Sequence, residues 1–267
     1  MKTFFPRRST LAVALAGVAL SPIVAAETVG PQIYGRINVS LDQFDYEGAT
    51  RVIAGRSASR IDEWQLNSNA SRLGVRGQFD IGDAGLQAVY QAEYEINVDD
   101  GGSGDNSFSQ RNIFGGFQGR YGQIIAGKFD TPLKTAEGKI DQFQDLAGDL
   151  DALIGGQNRV SDIVQYSTPA LFGLPLVVKA AFVPGESRDV DDDGQPDRDI
   201  ADAYSASITY SGDVLYAAMA YDSDQPARRS LDGFTQADAI RAVAGIRWQQ
   251  LEAGVLLQRS SDVAPGS

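Results

Sequence analysis

Period-two alternation, arriving in segments of about ten residues, constrains this chain more than any other feature of its sequence. Across residues 33–43, Ile33, Gly35, Ile37, Val39 and Leu41 fall on one face of an extended strand, and Tyr34, Arg36, Asn38, Ser40 and Asp42 fall on the other. Residues 71–79 repeat the pattern, with Leu73, Val75 and Phe79 opposed to Arg72, Arg76 and Gln78. In residues 86–96, Ala88, Tyr90, Ala92, Tyr94 and Ile96 alternate with Gln87, Gln91, Glu93 and Glu95 among others. Further segments at 110–118, 123–130, 162–168, 174–183, 202–210, 214–222, 238–249 and 251–259 bring the expected strands to about eleven. About ten residues is what a tilted strand needs to cross a bilayer. An apolar face for lipid and a polar face for water make the fold class all-β, a transmembrane antiparallel β-barrel.

The intervening segments support that reading. They are short at 80–85, 119–122, 169–173, 211–213 and around Gln250, and long at 44–70, 98–109, 131–161, 184–201 and 223–237. Tight turns at one rim and long loops at the other are the rhythm of membrane barrels. Phe79, Phe117, Tyr121, Phe172, Tyr210 and Trp248 stand beside the short turns, where an amphipathic ring can sit at headgroup level. After the N-terminal region no run of about 18 apolar residues occurs, so no spanning helix is expected.

Residues 1–26 carry Lys2, Arg7 and Arg8, an apolar stretch from Leu11 to Leu20, Pro22 and the small-residue site Val24-Ala25-Ala26. They are expected to be a secretory signal peptide, with residues 27–267 forming one barrel domain. Removing three cations and no acid takes the formal charge from −12 to about −15, which excludes nucleic acid as a partner. The chain has no cysteine, hence no disulfide or thiolate metal site, and no histidine, the commonest general base. Most hydrolase mechanisms are therefore disfavoured and no cofactor is expected.

Several segments resemble the trimeric general porins of Gram-negative bacteria. Ile33-Tyr34-Gly35-Arg36 resembles the first strand of that family and Ser71-Arg72-Leu73-Gly74-Val75-Arg76-Gly77 the second. Gln110-Arg111-Asn112-Ile113-Phe114-Gly115-Gly116-Phe117, Tyr121-Gly122 and Ala126-Gly127-Lys128-Phe129-Asp130-Thr131-Pro132 resemble the fourth and fifth, and Asp162-Ile163-Val164-Gln165-Tyr166-Ser167-Thr168-Pro169 continues the likeness. The resemblance implies a homotrimer of sixteen-stranded barrels in the cell outer membrane, among outer-membrane lipid and lipopolysaccharide. It implies a third loop folded into the lumen of a water-filled channel for small hydrophilic solutes and ions. With about eleven strands in hand, the expectation is that the sequence is a piece of a longer barrel, because an open edge in hydrocarbon leaves backbone groups unpaired.

In that family, basic residues on the lumen wall face acidic residues on the third loop. By motif the wall residues here are Arg36, Arg72, Lys128 and Arg159, with Arg76 beside them; alternation alone also puts Arg36, Arg72 and Arg76 on the polar face. Loop 131–161 carries Glu137, Asp141, Asp145, Asp149 and Asp151, and the choice of constriction carboxylate stays open among Asp141, Asp145 and Asp149. The spacing of Phe143, Leu146, Leu150 and Leu153 predicts a short helical turn there.

The run from Asp189 to Asp199 resembles a calcium loop, with Asp189, Asp191, Asp193 and Asp197 as candidate ligands and Gly194 for the sharp turn. Ile200 occupies the twelfth position, where a bidentate glutamate belongs, so affinity for calcium would be weak. Gly101-Gly102-Ser103-Gly104 is read as a loop tip, since no strand-to-helix context makes it a phosphate cradle. Two alternatives to a diffusion channel remain at this stage: a substrate-selective outer-membrane channel, and a structural or adhesive barrel.

Overall fold

A computed structural model describes residues 30–53, 56–82, 85–99, 108–146, 148–184, 201–226 and 236–263. The expected signal peptide and the candidate calcium loop with Asp189, Asp191, Asp193 and Asp197 lie outside the described residues. The strands are β1 (Gln32–Arg36), β2 (Val39–Ile53), β3 (Arg56–Ser68), β4 (Arg72–Ile81), β5 (Leu86–Ile96), β6 (Phe108–Gly119), β7 (Gly122–Asp130), β8 (Arg159–Ser167), β9 (Leu176–Val183), β10 (Ala203–Ser211), β11 (Leu215–Pro226), β12 (Gln236–Trp248) and β13 (Leu251–Val263). Two helical turns, α1 (Pro132–Thr135) and α2 (Leu150–Leu153), lie between β7 and β8. No helix among the described residues is long and apolar enough to cross a membrane.

Eleven strands form one sheet in the order β1-β4-β5-β6-β7-β8-β9-β10-β11-β12-β13, while β2 and β3 pair only with each other. In that order β1 and β13 are the two ends. The chain divides into two compact units, one built from Gly35–Leu73 and Glu95–Ser109, the other from Glu27–Tyr34, Gly74–Tyr94 and Gln110–Ser267.

The first unit corrects one sequence expectation. Residues 44–70, expected as a long loop, continue as the hairpin β2–β3, with Tyr46 opposite Ile61 and a register shift between Glu47 and Arg51. Alternation gave only a weak sign of this, because Gly48 and Thr50 interrupt the row begun by Phe44 and Tyr46, and Ala58 and Ile61, the apolar residues of 56–63, fall on opposite parities. The expected first strand is also broken at Asn38, whose N–H donates to Ser71 Oγ (2.9 Å) and whose Nδ2 donates to Asn69 O (2.9 Å).

The second unit separates lipid-type from water-type side chains row by row. From β6 to β13 the register aligns Gln118, Gln123, Ser167, Lys179, Ser207, Ala220, Arg241 and Gln258 on one face. The next row, on the opposite face, is Phe117, Ile124, Tyr166, Ala180, Ala206, Tyr221, Ile240 and Arg259. Side chains on that second face stand exposed although apolar, among them Ile208, Met219 (57%) and Leu257 (66%). Large apolar residues left in water would mark an interaction surface; their arrangement in rows across paired strands fits contact with acyl chains. Tyr121, Phe172 and Trp248 are exposed beside short turns, as expected of rim aromatics.

Ile208 and Thr209 are sequence neighbours on opposite faces, paired with Met219 and Ala218 respectively. Ile208→Arg is expected to lower the denaturation midpoint of detergent-folded or bilayer-folded protein, by about 2–4 kcal/mol at bilayer midplane depth. Thr209→Arg, at the same depth, is expected to fold like the parent. Equal damage from both, measured by urea titration of intrinsic fluorescence, would contradict the assignment of faces.

Candidate functional site

The polar face of the second unit is covered by the segment that follows β7. Thr131 is extended (φ −62°, ψ 155°) and fully buried, and its side chain accepts from Lys134 N at 3.2 Å, capping α1; Pro132 fits the first turn because its missing N–H has no partner to lose there. Asp149 caps α2 by accepting from Asp151 N at 2.7 Å. The segment closes on itself where Thr131 N donates to Asn158 O at 3.1 Å, one residue before β8 begins.

Small side chains on the wall make room for it. Leu133 is fully buried against Ala136, Ala218, Ala220, Ala239 and Val243, with Ile140, Tyr216 and Leu256 at the margin. Burying such a leucine contributes about 1.5–3 kcal/mol. At Gly254 an added Cβ would overlap the tip of the Ile140 side chain, so the bare backbone lets Ile140 lie close against the wall. Polar contacts fix the orientation: Leu133 N donates to Ser205 Oγ (3.2 Å), Tyr216 Oη to Ala136 O (2.8 Å) and Lys179 Nζ to Thr135 Oγ1 (3.2 Å). On the rim side of this contact, between residues 135–142 and the short turns, lies a cavity of about 900 Å³ lined by Lys139, Ile140, Lys179, Tyr216 and Arg247 among others.

The centre of the contact is Arg241 on β12, with no exposed surface. Its Nε donates to Gln258 Oε1 (2.8 Å), one terminal nitrogen to Leu133 O (3.1 Å) and the other to Gly155 O (3.3 Å). Glu137 Oε2 lies 3.6 Å from the guanidinium and accepts from Gln157 Nε2 at 2.8 Å. Gln258 Nε2 donates to Gly155 O at 2.9 Å, so wall and segment are joined twice at that carbonyl. Next to it Gly156 has φ +77°, and a Cβ would come within 2.8 Å of Leu133. A buried arginine without partners would cost several kcal/mol; here carbonyls, an amide and a carboxylate surround it. Burial pushes the Glu137 carboxyl above its usual value, against the opposing pull of Gln157 and Arg241.

The expected wall and loop residues fall into different settings. Arg159 pairs with Asp130 (3.1 Å) and donates to Asn112 Oδ1 (2.8 Å), and Asp130 also holds Lys134 (3.2 Å). Arg76 donates to Gln32 Oε1 (3.0 Å) and lies 5.0 Å above the Tyr34 ring; Tyr34 Oη donates to Glu93, which also takes Arg111 Nε at 2.9 Å. Arg36 and Arg72 belong to the first compact unit and the covered face to the second. Lys128 stands opposite Ile113 at a register shift, in phase with exposed Ile124 and out of phase with buried Ile125 and Phe129. Asp141 accepts from Phe143 N and Leu150 N, and Asp149 from Asp145 N and Asp151 N, so both carboxylates shape the segment; Asp145 has φ +65°. Sequence reasoning missed Arg241 and Gln258. The available signal was an arginine in an otherwise small-residue strand face, Ala239-Arg241-Val243-Gly245.

Comparison with known proteins decides the family. The Gram-negative porin description matches residues 9–267. The chain belongs to the Gram-negative porins. This porin is similar to the major outer membrane protein P.IA of Neisseria meningitidis, 26% identical over 187 residues that cover 64% of this chain and 46% of that protein. The P.IB protein of Neisseria sicca is 21% identical over 218 residues, 80% of this chain and 57% of that one. The porin thus spans about half the length of these relatives. In-vitro folded OmpT, an outer membrane protein of Vibrio cholerae, superposes with a TM-score of 0.56 at 14% identity, covering 90% of this chain and 66% of that one. Its loop-deletion form gives 0.54 at 17% identity over 86% of this chain and 69% of that one. The structural likeness shows the fold, an outer-membrane antiparallel β-barrel, and the porin is an outer-membrane protein.

Because the Glu137 value is raised in the folded protein, the stability this group contributes is complete below the ordinary carboxylate value and lost as pH rises through the raised one. Glu137→Gln keeps the neutral form throughout, so its denaturation midpoint relative to the parent porin is expected to rise as pH increases from below the ordinary carboxylate range to above the raised Glu137 value. A constant difference across that range would contradict the burial of Glu137.

Proposed function

We propose that the porin forms a water-filled channel for passive diffusion of small hydrophilic solutes and ions, without catalysis. We assign segment 131–158 as the part that narrows it. One observation carries the reading: the face of β9–β13 that bears the row Lys179, Ser207, Arg241 and Gln258 is the face this segment covers, which supports reading it as the lumen side. The absence of histidine and cysteine agrees with a role in permeation, since proton transfer and thiol chemistry lack their usual carriers. A homotrimer in contact with lipopolysaccharide is the assembly that the resemblance of the strand motifs implies.

The charge pattern supports a preference for cations. Arg111 is paired with Glu93, Arg159 with Asp130 and Arg241 with Glu137. Paired wall arginines project little field, while residues 131–158 carry Asp141, Asp145, Asp149 and Asp151 against Lys134 and Lys139. Weak calcium binding by Asp189, Asp191, Asp193 and Asp197 is a separate proposal, tested by calcium protection of that loop from proteolysis.

Purified porin folded in detergent and added to a planar bilayer is expected to give stepwise conductance that grows with salt without saturating. In a potassium chloride gradient the reversal potential should have the sign of cation selectivity, and Asp145→Asn with Asp151→Asn should move it toward zero. Saturation at millimolar solute would favour a substrate-selective channel, and a silent membrane would contradict a channel.

A further inference from the structure

We propose that Arg241 is the positioning residue for the constriction, a guanidinium latch that holds segment 131–158 at one depth against the wall; this rests on the reading that the segment narrows the pore. Its three directions of hydrogen bonding each reach a different element. One goes to Gln258 on the neighbouring strand, one to Leu133 O at the start of the segment and one to Gly155 O near its end. Both arms of the segment are thus tied to a single planar group, and the strand partner Gln258 returns to Gly155 O and keeps that group from rotating. Glu137, with Gln157 behind it, supplies the counter-charge from the segment itself.

Chemistry at this position favours arginine over any other residue. A lysine ammonium has three N–H donors on one nitrogen, whereas the guanidinium fork reaches Gln258 Oε1, Leu133 O and Gly155 O from three separate nitrogens in one plane. The arginine also has no part in sorting solutes, because no surface of it is exposed. Its charge is spent on the contact between segment and wall. The apolar pocket around Leu133 contributes adhesion without direction, and the latch fixes the register with which the segment lies on β10–β13.

The test uses the absence of native cysteine. Ala136 is buried between segment and wall, and Ala136→Cys is a small change that reports on that contact through its labelling rate with a water-soluble maleimide. In the otherwise native porin the thiol is expected to label slowly. With Arg241→Lys, which keeps the charge, labelling should quicken severalfold, and single channels should lose their steady open level and flicker, while the heat-modifiable folded band on gels stays. Gln258→Ala strands no charge and is the second variant; it should quicken labelling in the same direction if Arg241→Lys fails to fold. Fast labelling of Ala136→Cys in the otherwise native porin, or unchanged labelling and conductance in the variants, would overturn the latch. If the porin never conducts but labelling responds as described, the channel reading fails and the latch stands.

Discussion

Hydrocarbon offers a backbone no hydrogen-bonding partner, and every other feature of this porin follows from that constraint. A segment whose N–H and C=O groups must find each other in lipid can be a helix or a member of a closed set of paired strands. This chain has no helix apolar enough among its described residues and long antiparallel pairings from β6 to β13. Once strands are paired, their side chains divide strictly by parity, so a single register fixes which residues meet lipid and which meet water. The rows through Ile124 and Tyr221 on one side and through Lys179 and Arg241 on the other are consequences of one set of hydrogen bonds.

The wet face has to do more than stay wet, because a segment lies on it. Alanine and glycine at Ala218, Ala220, Ala239, Gly245 and Gly254 lower that part of the wall enough to receive Leu133 and Ile140. Apolar contact alone would leave the segment free to slide over a smooth surface of methyl groups. Tyr216, Ser205, Lys179 and Arg241 each contribute a directed bond at a different place along it, so position is set by polar groups and adhesion by apolar ones. The cost is a buried ionic network, and Arg241 is tolerated in it because two backbone carbonyls, the Gln258 amide oxygen and the Glu137 carboxylate surround its guanidinium.

Much of this was legible in the sequence where a physical signal was periodic. The segment 86–96 coincides with β5, and the strands from β6 to β13 were found with their ends shifted by a few residues, because lipid on one side enforces alternation. The hairpin β2–β3 was not legible, since Gly48 and Thr50 interrupt its first strand's apolar row and residues 56–63 carry only Ala58 and Ile61 as apolar residues, on opposite parities. The helical turn expected near Leu150 is present as α2, capped by Asp149. The candidate carboxylates were chosen for charge, but Asp141 and Asp149 act first as caps for backbone N–H groups, a role that depends on the local fold. Arg241 stood out in the sequence only as an arginine on a face of small residues; its role was not legible, because its partners lie on the strand β13 and in a segment more than 80 residues earlier in the chain. Contacts of that range leave no periodic trace.

The facing of the strands is the claim on which the rest stands, and a nitroxide scan of β10 tests it most directly. Single cysteines introduced from Tyr204 to Tyr210 and spin-labelled in lipid vesicles would be compared for collision with oxygen, which concentrates in hydrocarbon, and with a polar nickel chelate. Tyr204, Ala206, Ile208 and Tyr210 should show high oxygen and low nickel accessibility, and Ser205, Ser207 and Thr209 should lack that lipid signature. Uniform accessibility along the strand, or a repeat nearer to four residues, would contradict the account.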